Sequence, residues 1–390
     1  MEKIILVRYE EIFLKGLNKG SFENRLIRNI KERLAPLGNF KVAKSQSRIY
    51  IESKDPDFDM EEACLKLEKI FGIASVSRVV KTESDYEAIK AAAVEIIDDL
   101  LKRKPYKTFK VEAKRGDKGF PLNSPQICAD LGGTILSCFH QLKVDVHHPD
   151  FIFYVEVRGS TYLYSEILPA AKGLPSGTGG LATLLLSGGI DSPVAGWMVA
   201  KRGVELEAVY YHSYPYTSER ARDKVVKLAK ILSEWCMGIK LHVVPFTEIQ
   251  LEISQKCPHG YLTIIMRRYM TKIAQRIAEK NGSLGLVTGE SIGQVASQTM
   301  ESMLVTSEAA KLPIYRPLVG MDKNEVIEIA RKIGTFETSI LPYEDCCTIF
   351  VAKHPVTRPS LKRTLEYEKI LEEEALIQKA LDGTETITLA

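Results

Sequence analysis

The chain has no apolar run long enough to span a bilayer, and its start, Met1-Glu2-Lys3-Ile4-Ile5-Leu6-Val7-Arg8, lacks the extended apolar core of a secretory signal. A cytoplasmic location is expected from this. Cysteine is sparse: seven in 390 residues (Cys64, Cys128, Cys138, Cys236, Cys257, Cys346, Cys347), odd in number and widely scattered, with no CxxC and no zinc-type Cys/His spacing. Both a disulfide scaffold and a cysteine-held metal are argued against. Charge of one sign is also missing, because 53 Lys and Arg against 50 Asp and Glu leave a net +3, so any basic surface has to be local. There is no internal repeat, and His147-His148 has no third ligand nearby, which reads as loop rather than metal site. Finally, the GxxxxGK[ST] phosphate loop is absent.

What is present is ordinary globular composition, 45% apolar and 26% charged, in a chain long enough for two or three cores. One stretch organises it: Leu184-Leu185-Leu186-Ser187-Gly188-Gly189-Ile190-Asp191-Ser192-Pro193. The leucines read as the end of a buried strand and Pro193 suits a helix start. Between them, two glycines permit a tight bend and close backbone approach, while Ser187, Ser192 and the first helix amides turn donors toward an anion. That chemistry suits phosphate or pyrophosphate. The stretch resembles the SGGxDS loop of the ATP pyrophosphatases, which cleave ATP between its α and β phosphates and pass AMP to a substrate oxygen. A tight packing turn is the plain alternative.

Along the chain, alternation predicts strands near 3–8, 39–52, 74–80, 151–158 and 161–167, and apolar periodicity predicts helices near 21–34, 60–71, 86–101 and 124–142. Arg25, Arg28 and Lys31 share a helix face. Lys102, Arg103, Lys104, Lys107, Lys110, Lys114, Arg115 and Lys118 crowd one strand and its loop, with Tyr106, Phe109 and Phe120 interleaved. Such a run can track a phosphate backbone while rings stack on unpaired bases, or it can be a lysine-protected edge strand. Pro, Gly and small residues over 168–180 mark a linker. From 183 onward strands and helices alternate, which implies a parallel sheet with helices on both faces and a nucleotide at the strands' carboxyl ends. Residues 361–381 read as a terminal packing helix.

Segments that follow those strands can converge on the 187–192 loop. Tyr210-Tyr211-His212-Ser213, Thr288-Gly289-Glu290-Ser291 and Gln294–Thr299 are placed to read a base, although either tyrosine can equally be core. Arg267 or Arg268 can meet a phosphate or form an ordinary ion pair.

Glu11-Ile12-Phe13-Leu14-Lys15-Gly16, Ser187–Ser192, Tyr211-His212-Ser213, Gly293–Thr299, Arg316-Pro317-Leu318 and Asp322-Lys323 together resemble the tRNA 4-thiouridine synthetase family, called ThiI, in order and over essentially the whole chain. The resemblance implies a doubly wound parallel-sheet PP-loop ATP pyrophosphatase domain (181–390), reached through a linker (168–180). Before it come two smaller α+β domains, one ferredoxin-like (1–60) and one THUMP RNA-binding (61–167).

It further implies adenylation of O4 of the uridine at tRNA position 8 and replacement of AMP by persulfide sulfur. ATP and Mg²⁺ would be cofactors, and tRNA, a cysteine desulfurase and a second copy of the chain would be partners. Leu185, Leu186, Ser187, Gly188, Gly189, Asp191, Ser192, Tyr210, Tyr211, Arg267, Gly289 and Gln298 become nucleotide-site candidates. Asp191, which could also cap its helix, and Lys323 would handle phosphate charge. Arg25, Arg28, Lys102, Arg103, Lys104, Lys110, Lys114, Arg115 and Lys118 become tRNA contacts.

By the same resemblance Cys346 carries the persulfide and Cys347 resolves it, while the other five cysteines read as small buried apolar residues. Glu344 and Asp345 would raise a neighbouring thiol, so a cation from elsewhere has to compensate. Some family members add a rhodanese-like domain. This chain stops after the terminal helix, so sulfur is expected to reach Cys346 directly, and the thiamine role tied to that domain is not expected to carry over. The rival readings are an amidating ATP pyrophosphatase and a THUMP-type tRNA-binding protein with a regulatory nucleotide site. The vicinal cysteines argue against the second.

Overall fold

The computed structural model describes residues 2–45, 47–55, 57–343 and 354–390. Two compact units divide the chain, Met1–Lys172 and Gly173–Ala390. None of the described helices is long and apolar enough to cross a membrane.

The first unit is built on one continuous sheet. Its elements are β1 (Glu2–Arg8), α1 (Lys19–Leu34), β2 (Phe40–Ser45), β3 (Arg48–Ser53), α2 (Met60–Glu68) and β4 (Ser75–Thr82), then α3 (Tyr86–Arg103), β5 (Thr108–Arg115), α4 (Ser124–Cys138), β6 (Lys143–Val144), β7 (Phe151–Val157), β8 (Thr161–Tyr164) and β9 (Leu168–Pro169). The strand order is β2-β3-β1-β4-β8-β7-β5-β6, with β9 also on β4. Alternation puts Ile5 and Val7 in one core with Leu26, Ile30 and Leu34 of α1, and Ala63, Cys64 and Leu67 of α2 join them. Residue 60 is therefore the start of a helix that fills the core of β1 and α1. A second core gathers α3, α4, β5 and β7.

Phe109 and Phe120 belong to that second core at 0% and 5% exposure, so their rings are not available to stack on bases. The expectation of stacking fails for these two because alternation turns Phe109 inward while the lysines turn out. Tyr106 is half-buried against Phe151. The linker expectation is also changed in detail: Leu168 and Pro169 pair with β4, and the amides of Gly177, Thr178 and Gly179 all donate to the Gly203 carbonyl.

The second unit runs β10 (Leu181–Leu185), α5 (Asp191–Ala200), β11 (Glu205–His212), α6 (Glu219–Cys236), β12 (Ile239–Pro245), α7 (Thr247–Lys256) and α8 (Leu262–Asn281). It continues with β13 (Leu286–Val287), α9 (Met300–Ser307), β14 (Ile314–Tyr315), α10 (Lys323–Ile333), α11 (Phe336–Ser339), α12 (Leu361–Glu368), α13 (Glu373–Asp382) and β15 (Glu385–Leu389). The sheet order β14-β13-β10-β11-β12-β15 is parallel except for β15, which lies antiparallel on β12. α5, α6, α10 and α11 form one helical layer and α7, α8, α9, α12 and α13 the other, a doubly wound arrangement.

From β10 the chain moves outward to β11 and β12, then returns to the opposite side of β10 as β13. This reversal opens a crevice at the carboxyl end of β10, where the 187–192 loop sits. The expected single terminal helix is two helices and an edge strand. α12 is tied to α8 by buried Arg268, which donates to Glu368 from Nε and Nη2 at 2.8 and 3.1 Å.

Candidate functional site

Ser187 and Ser192 close the loop on itself. The Ser187 amide donates to Ser192 Oγ at 2.9 Å, the two hydroxyls lie 3.1 Å apart, and the Gly189 amide donates to Ser187 Oγ at 3.3 Å. Neither Gly188 nor Gly189 has a positive φ, so the glycines provide room rather than the bend. A Cβ at either would meet the protein no closer than 3.4 Å. Gly289, after β13, is different. A Cβ there would stand 2.7 Å from the Ser192 amide nitrogen and 2.8 Å from the Asp191 carbonyl carbon, so the strand end packs directly on the start of α5.

α5 begins at Asp191, two residues before Pro193, and Asp191 caps nothing. Its carboxylate instead accepts from Lys323 Nζ at 2.6 Å and from Gln294 Nε2 at 2.9 Å. Lys323 is presented there because Asp322 and Glu325 form a capping box that fixes the start of α10. A residue 132 positions away in sequence thus meets the loop.

Beside the loop lies a cavity of about 190 Å³. Leu185, Leu186, Ser187, Gly189, Asp191 and Ser192 line one side; Tyr210, Tyr211, Arg267, Gly289 and Gln298 line the rest, together with Met270, Thr306 and Ile314. The Tyr211 hydroxyl donates to the Met270 carbonyl and its ring packs on Phe246, so this tyrosine is both core and wall. Gln298 is 7% exposed and its Oε1, on the cavity wall, meets no hydrogen-bond donor among the described residues. A buried acceptor of this kind calls for a donor from a ligand.

Arg267 is committed to the protein, donating from Nη1 to Glu290 at 2.9 Å and to the Ser297 carbonyl at 3.1 Å. Arg316 donates to the other Glu290 oxygen at 2.6 Å and to Ser307 Oγ at 2.8 Å. Burial alone would push the Glu290 carboxyl up, but the two guanidiniums hold it below the ordinary carboxylate range. This clamp fixes the 289–298 loop against α8 and β14. Arg268 points the other way, to Glu368.

Of the nucleotide-site and phosphate candidates, Gly188, within the loop, and Lys323, paired to it through Asp191, do not line the cavity. Cys346 and Cys347, with Glu344 and Asp345, lie outside the described residues. The remaining cysteines are free; Cys64, Cys236 and Cys257 are buried, but Cys128 is half-buried and Cys138 exposed, contrary to the expectation that all five are buried. Burial pushes the Cys64 and Cys257 thiols up to about 11, so neither is a nucleophile at neutral pH. Among the described residues no group of three or more His, Cys, Asp or Glu could hold a metal ion.

The RNA candidates belong to the first unit. Arg28 pairs with Glu32 on α1 and Lys102 with Asp98 on α3, both exposed. Arg103, Lys104, Lys114 and Lys118 are exposed, Arg25 and Arg115 half-buried. β5 pairs with β7 throughout and with β6 only at Thr108 and Phe109, so beyond Phe109 no strand covers its outer edge among the described residues; there Lys110 meets Glu112 at 2.9 Å and the Arg115 amide donates to Ser124 Oγ at 3.1 Å.

Sequence reasoning did not single out Glu290, Arg316 or Lys224 as site residues. Arg316 had a signal in its motif. Glu290 stood inside the Thr288–Ser291 segment without a role of its own, and Lys224 had no signal, because only the fold shows it buried beside the loop.

Three family models cover the chain: "ThiI ferredoxin-like domain" matches residues 4–77, "THUMP domain" residues 83–166, and "Thiamine biosynthesis protein (ThiI)" residues 177–373. The chain is 61% identical over 389 residues to a "Probable tRNA sulfurtransferase" of Acetivibrio thermocellus, covering 100% of this chain and 99% of that one. It is 55% identical to a protein of the same name from Lachnoclostridium phytofermentans, covering both in full. A crystal structure of a 4-thiouridine synthetase–RNA complex with bound ATP superposes with a TM-score of 0.93 at 39% identity, covering 100% of each chain. Together with the loop, the switch-point crevice and the order of the units, these matches establish that the chain belongs to the ThiI family.

Proposed function

We propose that this chain is an ATP-dependent tRNA uracil 4-sulfurtransferase, which adenylates O4 of the uridine at position 8 of tRNA and exchanges the AMP-bearing oxygen for sulfur. The observation that carries the reading is the 187–192 loop at the switch point, with Asp191 and Lys323 at its mouth and a base-sized cavity beside it. The loop amides would hold the phosphates, and the walls at Tyr210, Tyr211 and Gly289 would enclose the adenine, with Gln298 Oε1 accepting from a donor of the nucleotide. Arg267 would act by fixing that wall, since its guanidinium is already held by Glu290. Asp191 is the carboxylate suited to a magnesium ion: Mg²⁺ is commonly bound by one or two carboxylates plus substrate phosphates, and no larger acidic cluster exists among the described residues. When bound, the ion neutralises phosphate charge.

The ferredoxin-like and THUMP parts would grip the acceptor end of tRNA through the basic residues of α1 and β5. Cys346 would then deliver sulfur. Its persulfide attacks C4, AMP leaves with the oxygen, and the Cys347 thiolate attacks Cys346 Sγ, releasing 4-thiouridine and leaving a Cys346–Cys347 disulfide that an external thiol reduces. A cysteine desulfurase would load the persulfide, in the cytoplasm, with the enzyme as a homodimer. Reconstitution with ATP, Mg²⁺, a desulfurase and unmodified tRNA should yield 4-thiouridine at position 8, with one AMP and one pyrophosphate per sulfur inserted. No ATP-dependent sulfur transfer would overturn the reading.

A further inference from the structure

The charged and titratable groups lining the cavity beside the loop are Asp191, Tyr210, Tyr211, Arg267, Glu290 and Arg316. Asp191 is matched by Lys323 at 2.6 Å. Glu290 has to serve two guanidiniums, Arg267 at 2.9 Å and Arg316 at 2.6 Å, so among the described residues one positive charge in the wall has no carboxylate of its own. Arg267 spends Nη1 on both Glu290 and the Ser297 carbonyl, which ties the 289–298 loop to α8. Arg316 follows β14 and its side chain is 16% exposed. Only its Nε, on Glu290, and one proton of Nη2, on Ser307 Oγ, are used, so Nη1 and the other Nη2 proton bond no described residue. Two guanidiniums on one carboxylate repel each other, and a further anion in the cavity relieves that repulsion. The sheet order sets Arg316 apart from the tyrosines, because β11 lies on one side of β10 while β13 and β14 lie on the other.

Resting on the AMP-transfer reading above, we infer that Arg316 is a catalytic residue that stabilises the target uracil as its N3-deprotonated anion while O4 attacks. With the adenine at Tyr210 and Tyr211 and the phosphates at the loop, the wall after β14 is the side left for the acceptor. Uracil must lose its N3 proton when O4 bonds to phosphorus, yet the lining holds no histidine, lysine or cysteine among the described residues. Its two carboxylates are committed: Asp191 accepts from Lys323 and Gln294, and the guanidiniums hold Glu290 below the ordinary carboxylate range, which makes it a weak base. The site therefore favours the anion rather than extracting the proton. N3 gives its proton to water, and the negative charge spreads over N3, O2 and O4. N3 and O2 then present two adjacent acceptors, which match a guanidinium fork and leave O4 free. O4 bonds to the α-phosphorus, the bond from that phosphorus to the bridging oxygen breaks, and its electron pair leaves with pyrophosphate.

The test uses the full chain as wild type, Arg316→Met and Arg316→Lys, with tRNA transcripts carrying uridine or 5-fluorouridine, whose N3 proton is more acidic. Single-turnover adenylation is followed from neutral to alkaline pH, together with ATP affinity and the melting temperature. At neutral pH Arg316→Met should slow adenylation by about 100-fold, in line with the loss of one preorganised charge donor. ATP affinity should stay within about 2-fold, since only the acceptor loses a contact and Glu290 keeps Arg267 as a balanced pair. A cation beside the uracil lowers its pKa, so the wild-type rate should level off at a lower pH than the variant's. The gap between them should therefore narrow as pH rises, and 5-fluorouridine should narrow it at neutral pH. Arg316→Lys should recover part of the rate. If ATP affinity falls in step with adenylation, Arg316 is a nucleotide contact; if the gap is the same at every pH and with both bases, Arg316 only supports Glu290. Either result overturns the inference. Should Arg316→Met not fold, Arg316→Gln gives the same comparison. A wild-type chain that binds ATP but releases no pyrophosphate with tRNA would sink the AMP-transfer reading and the role of Arg316 together, whereas an active wild type beside a constant gap sinks the role of Arg316 alone.

Discussion

Replacing Gly289 by alanine adds one methyl group where the structure has no space for it. The new Cβ would lie 2.7, 2.8 and 2.9 Å from the Ser192 nitrogen, the Asp191 carbonyl carbon and the Ser192 Cα, all backbone atoms at the start of α5. Ordinary contact begins near 3.4 Å, so about 0.7 Å must come from moving either β13's end or the loop. No flexible side chain can absorb it. Overpacking of this kind costs about 1–3 kcal/mol, which lowers the melting temperature of a unit this size by a few degrees to about 10 °C. Because the displaced atoms belong to the 187–192 loop, which is proposed to hold the phosphates, adenylation should fall further than stability implies, by about 10- to 100-fold. Thermal melts, ATP affinity and single-turnover adenylation measure the three effects. Gly188→Ala is the contrast: the nearest atoms to its Cβ are those of the Lys224 side chain, at ordinary contact distance, so the melting temperature should hold and any loss should appear in nucleotide binding. Wild-type melting and wild-type ATP affinity in Gly289→Ala would refute the claim that β13 and the loop are held in register by this contact.

Glu290→Gln leaves Arg267 and Arg316 without their buried counter-charge and should cost about 3–5 kcal/mol. Since the folded-state pKa of Glu290 is depressed, its contribution is complete above the ordinary glutamate value of about 4.3 and is lost as pH falls through the lower folded value. The gap between wild-type and variant melting curves should therefore close on the acid side, and a gap constant from neutral pH down to pH 3 would contradict the clamp. Cys346→Ala should abolish sulfur transfer while leaving tRNA adenylation intact, whereas Cys347→Ala should fail only in resolving the intermediate; the reverse pattern would exchange their roles. Replacing Lys110, Lys114 and Arg115 together should weaken tRNA binding and lower the slope of log affinity against log salt by about 2 to 3. Unchanged binding would leave β5 as a lysine-protected open edge.

The strand-to-helix loop, the alternation of strands and helices after it and the basic run of β5 were legible in the sequence because each is a local pattern with a short period. Many of the residues that line the cavity were also named from sequence, through motifs placed after consecutive parallel strands. Local pattern failed where a neighbour decides. Phe109 and Phe120 look like stacking rings beside lysines until packing shows them in a core. Asp191 looks like a cap until Lys323 and Gln294 claim both its oxygens. The terminal strand β15 carries Glu385 and three threonine or isoleucine positions that define nothing until β12 offers an edge.

By itself, then, the sequence determined the family, the residues of the loop and the inventory of cations, since these depend on residue identity at fixed spacing. Only the tertiary structure decided which charges meet. Lys323 reaches Asp191 across 132 residues, Glu290 is shared by two arginines, and Lys224 arrives beside Gly188 from another helix. Such pairings depend on burial and on angstrom-scale distance, which chain order does not encode locally.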